Sequence, residues 1–184
     1  MKSLTLAAGT TILVLAASSA SAAVVTLGGP LSKNCYDAAL ARDDRDQAIE
    51  GCSRSLDQEA LMPHDRAATL VNRGILYMSR RNDAAADADF DKALAMDGHL
   101  SDAWLNKGFL RLREGDGRNA LPLLQKGIDY GARRQAIAIF ARGVAHEQLG
   151  EYRLAYADLK RAQELEPGWP LPTEYLASYR FVGR

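Results

Sequence analysis

The 184-residue chain has almost no cysteine, only Cys35 and Cys52. Two thiols exclude a disulfide-rich scaffold and cannot by themselves complete a zinc site, which takes about four ligands. Net charge is also missing: 23 Lys plus Arg stand against 23 Asp plus Glu, which leaves no electrostatic case for nucleic acid or an anionic membrane as partner. No G-x-x-x-x-G-K-[ST], H-E-x-x-H or G-x-S-x-G occurs, so the phosphate loop, the zinc-protease helix and the hydrolase elbow are all lacking. His64, His99 and His146 have no ligand spacing, and His146-Glu147 and Gly115-Asp116-Gly117 are isolated. Asp87, Asp89 and Asp91 alternate along a helix and are expected on a solvated face. No enzyme, metal or cofactor is expected.

Long apolar runs are confined to the start. Met1-Lys2 is followed by an apolar stretch, Leu4 to Ala17, and then by Ser-Ala-Ser-Ala at 19–22. A basic start, a short apolar core and an A-x-A site form the pattern of a signal peptide. Residues 1–22 are therefore expected to be removed, leaving no membrane span in the mature chain. An exported protein, in a bacterial periplasm or secreted, meets conditions in which paired thiols oxidise. Residues 23–33, with Gly28-Gly29-Pro30, are expected as a flexible arm.

What fills the rest is helix-forming Ala, Leu, Arg and Asp, written as a repeat. VNRGILYMSRRNDAAADADFDKALAMDG, LNKGFLRLREGDGRNALPLLQKGIDYGA and FARGVAHEQLGEYRLAYADLKRAQELEP superpose almost without gaps. Gly74, Gly108 and Gly143 are each followed 12 residues later by Ala86, Ala120 and Ala155, and 16 later by Phe90, Leu124 and Leu159. Small residues across a turn let two antiparallel helices approach closely, and the large apolar column fills the space between them. Turns are expected at Asn82-Asp83, at Gly115 to Gly117 and at Gly150-Glu151. Pro122 is expected in a first helical turn, which places that helix start near Asn119.

These columns resemble the tetratricopeptide repeat, a 34-residue helix-turn-helix. Trp104 keeps the motif's fourth-position aromatic, Gly74, Gly108 and Gly143 its eighth position, Tyr77 its eleventh, and Pro167 its close. The resemblance implies an all-α, right-handed superhelix of antiparallel helix pairs, with repeats at 67–100, 101–135 and 136–169. Residues 170–184 are expected to add a capping helix, TEYLASYRF, begun by Thr173.

Residues 34–66 align as a degenerate first repeat and linker, with helices at 34–42 and 45–57. Cys52 falls in the column of Phe90, and Cys35 lies at an equal distance on the other side of the Asp43-Asp44 turn. Facing helices place such positions some 3.5 to 5.5 Å apart between Cα atoms, within reach of a disulfide. Free buried thiols are the alternative, and the 16 intervening residues are far from a redox C-x-x-C.

By the resemblance, the first helix of each unit lines a concave groove. Its residues would be Val71, Asn72, Ile75 and Met78, then Asp102, Leu105, Asn106, Phe109 and Leu112, then Ile137, Phe140, Ala141, Val144 and Glu147. Asn72 and Asn106 share one position, with Asn34 joining them, and amides can hold an extended peptide backbone. Packing between helices is the competing role for the same residues. Chaperone-binding members of the family grip a terminal carboxylate. Lys33 and Asn72 fit that pattern, but Asp37, Asp102 and Asn106 stand where Asn, Lys and Arg are needed. The expected function is non-catalytic binding of a protein or peptide, with a homo-oligomer whose groove takes its own terminal segment as the alternative.

Overall fold

The computed structural model of the protein describes residues 3–6 and 29–182. The rest of the expected signal peptide, and the arm up to residue 28, lie outside the described residues. Nine helices follow one another among the described residues: α1 (Pro30–Ala41), α2 (Asp46–Gln58), α3 (Pro63–Ser79), α4 (Asp83–Met96), α5 (Ser101–Arg113), α6 (Gly117–Asp129), α7 (Gln135–Gln148), α8 (Tyr152–Leu165) and α9 (Pro170–Ala177). Each odd-numbered helix through α7 packs against its successor, and α3, α5 and α7 stand side by side. A two-stranded antiparallel ribbon joins β1 (Ser3–Leu6) to β2 (Tyr179–Val182), with Ser3 opposite Val182.

The repeat columns are the core. Ala86, Ala120, Ala155, Phe90, Leu124 and Leu159 are all fully buried. A Cβ on Gly74 would overlap the Phe90 ring, and one on Gly108 would come within 2.6 Å of Leu124 Cδ2. Glycine is therefore required for the helices to approach this closely. The turns form where expected: Asn82 Oδ1 accepts from Ala85 N and Asp116 Oδ1 from Asn119 N, each capping a second helix. At the same place in the three turns the backbone is left-handed, at Arg81 (φ 60°), Gly115 (φ 78°) and Gly150 (φ 74°).

Cys35 and Cys52 are bonded, with Cα atoms 4.8 Å apart, and join α1 to α2 in the buried core. That helix pair starts earlier than expected, at Pro30, so residues 30–33 are helix and not arm. The cause lies 27 and 28 residues downstream. The Glu59 carboxylate accepts from the backbone N–H groups of Leu31 and Ser32, both at 2.8 Å, and satisfies donors that a helix start leaves open.

Three further expectations are corrected. α6 begins at Gly117 and carries Pro122 inside the helix. Arg118, whose carbonyl loses its partner there, is exposed, so water can take the bond. The last helix starts at Pro170 rather than Thr173 and ends at Ala177; proline suits a first helical turn, and Tyr179, Phe181 and Val182 favour a strand. The linker before the first full repeat is short, because α3 already starts at Pro63.

Candidate functional site

The candidate groove is carried by α3, α5 and α7, whose apolar periodicity forms helices with one continuous inward face. Val71, Asn72, Ile75, Leu105, Asn106, Phe140 and Val144 are all buried, and Phe109 is half-buried. The expectation of exposed amides is thereby corrected for two of the three asparagines. Asn34 is exposed, whereas Asn72 is fully buried and Asn106 nearly so. Asn106 Nδ2 donates to the Asp102 carbonyl one turn back, at 2.7 Å. Asn72 has no partner at either amide atom, and Asp102 none at Oδ1. These three polar side chains sit on two helices that touch each other.

Asp102 is strongly altered by its surroundings. Burial pushes its carboxyl up to about 7, against the opposing pull of the Arg133 charge. Glu147, on α7, is also raised by burial while accepting from Tyr179 Oη at 2.9 Å. Tyr179 itself is pushed well up by burial and by that carboxylate. At this end the C-terminal segment covers the third unit: the Phe140 ring lies 4.9 Å from Trp169 and 5.0 Å from Tyr175.

A set of ion pairs went unseen in the sequence. Arg73 makes two bonds to Asp89, at 2.7 and 2.9 Å, and a third to Ser53 of α2. Arg142 repeats this with Asp158, at 2.8 and 2.7 Å, and with Gln125 of α6. In the middle unit Leu123 stands where those aspartates would be. Lys107 turns instead to Asp87 and Asp91 of α4, both at 2.7 Å. Asp89 is thus buried and Asp87 paired, correcting the solvated face expected for them. The sequence signal was the cation immediately before each column glycine. Two clefts of about 460 and 430 Å³ lie beside Arg142 and Arg73, and both arginines are already paired with their acids. No cluster of three metal-ligating side chains occurs among the described residues. No helix among them is long and apolar enough to cross a membrane.

The architecture is that of a helical solenoid, stacked helix pairs with a lined inner face. A tetratricopeptide repeat family model matches residues 136–168. Among solved structures, a MamA double mutant from strain RS-1 superposes with a TM-score of 0.65 at 21% identity, over 80% of this chain and 82% of that one. The first tetratricopeptide domain of human RPAP3 gives 0.58 at 23%, over 63% and 90%. The N-terminal domain of stress-induced protein-1 from C. elegans gives 0.56 at 18%, over 64% and 97%. The search of curated proteins finds no match. A tetratricopeptide repeat is thus matched at residues 136–168, and the fold is the superhelix of tetratricopeptide-repeat structures with a closing helix.

Proposed function

We propose that the protein is a non-catalytic scaffold that binds a protein or extended peptide along α3, α5 and α7, after export to the periplasm. One observation carries the reading: the inner face is apolar and yet holds Asn72 and Asp102 with polar atoms that nothing in the described chain satisfies. Buried polar groups are normally paired, and unpaired ones are a reason to look for a missing partner. The signal-peptide pattern of residues 1–22 supports export, as does a disulfide between the only two cysteines. The test is a photo-crosslinking residue placed at Phe109 or, on the exposed surface of α4, at Lys92, in cells producing the protein. Adducts from Phe109 and none from Lys92 are expected. The reverse pattern would move the binding surface off the groove.

A second reading has its own observation. Tyr175 and Tyr179 lie against Phe140 and Glu147, so the third unit is covered by the chain's own C-terminal segment. On that reading the groove is filled from within, and the protein is a structural, self-associating subunit. A chain ending at Ala177 should then change its oligomeric state in light scattering, whereas a scaffold would keep it.

A further inference from the structure

Resting on the groove reading above, we infer that the partner segment is basic as well as apolar, with a lysine or arginine side chain directed at Asp102. The inner-face positions of the three units carry two charges, Asp102 and Glu147, and no lysine or arginine. Their lining is otherwise aliphatic or aromatic, with the amides of Asn72 and Asn106. A face with acids and no base is complementary to a cation and repels a carboxylate.

The two acids are not equivalent. Glu147 already accepts from Tyr179, whereas Asp102 keeps an unpartnered Oδ1 while 1% exposed. Asn72, on the helix packed beside it, keeps both an unpartnered donor and an unpartnered acceptor. A passing peptide group could satisfy both amide atoms, since it offers one acceptor and one donor. Asn72 would thus hold backbone without reading sequence. Selectivity falls to Asp102, because an ammonium or guanidinium supplies donors to the open oxygen and adds to the opposite charge of Arg133, which alone does not offset the burial. Acidic segments fail on both counts.

The experiment selects a randomised decapeptide library against the full-length chain and sequences the bound pool. Wild type should enrich apolar residues together with Lys and Arg, the basic residues at least tenfold over Asp and Glu. Asp102→Asn should keep the apolar enrichment and reduce the basic excess below twofold; Asp102→Ser serves if the asparagine variant loses helical signal. Apolar enrichment without a basic excess, or a basic excess unchanged in the variant, overturns the inference and leaves the groove reading standing. No enrichment of any kind overturns both.

Discussion

Arg73 and Asp89, 16 residues apart on α3 and α4, face each other in a two-point ion pair that Arg142 and Asp158 reproduce at the same spacing on α7 and α8. Each arginine also reaches the helix before its own unit, at Ser53 and Gln125. One cation therefore ties three consecutive helices. Removing one partner of a buried pair strands the other's charge, and Asp89→Asn should cost about 3 kcal/mol or more. Replacing both, as Arg73→Met with Asp89→Leu, should recover most of that loss. Urea unfolding of the two variants checks it. An equal loss in both would mean that packing, not charge, holds this contact.

The glycine column carries a second expectation. Leu124 stands where a side chain on Gly108 would go, so Gly108→Leu should overpack the α5/α6 contact by roughly 1 to 3 kcal/mol. An unchanged melting temperature would contradict the register of the two helices.

What could be read from the sequence follows from how local the physics is. Glycine, alanine and large-apolar columns repeat because every unit solves the same two-helix contact, so three copies were enough to reveal it. The cysteine pair was legible for the same reason, since Cys52 falls in a column that Phe90 defines. The ion pairs cross between helices, and the middle unit breaks their pattern with Leu123, which hid them. The inner face was half legible. The resemblance named Asn72, Leu105 and Asn106, but a repeat position cannot say whether an inward side chain meets solvent or another helix. The ending at Ala177 escaped because a short segment with Tyr, Phe and Leu suits either a helix or a strand.

Arg81 has φ 60°, where its counterparts are Gly115 and Gly150. A side chain in that left-handed region is strained, and glycine is not. Arg81→Gly should therefore raise stability, by about 0.5 to 1 kcal/mol after the added freedom of the unfolded chain is counted. Arg81 is exposed, so no packing is lost. A lower melting temperature in the variant would overturn the assignment of strain.

The disulfide closes a 17-residue separation at the end of the solenoid, where α1 and α2 have a neighbouring unit on one side only. In the chain-entropy model a loop of this size contributes about 3 kcal/mol. Cys35→Ser with Cys52→Ser should lose about that much, and hydrogen exchange should show α1 and α2 opening first. Mass spectrometry of the native protein should find one internal bridge and no alkylatable thiol. Two free thiols would remove the staple.

Asp102 sets the direction of a pH dependence. Its carboxyl titrates near 7 in the folded chain because burial disfavours the charge, against an ordinary value near 4 when unfolded. Between these values the folded chain holds a proton that the unfolded chain has released. Stability linked to this group is therefore greatest below about pH 4, falls as pH rises, and is fully lost above about 7. The magnitude is on the order of 2 to 4 kcal/mol. Asp102→Asn keeps the shape without the titration, so subtracting its urea-unfolding profile from that of wild type isolates this group. The difference should slope downward between pH 4 and 7, and the variant should be the more stable protein at pH 8. A flat difference would mean that the carboxylate finds a partner or water in solution, and with it the unpartnered oxygen on the inner face would be gone.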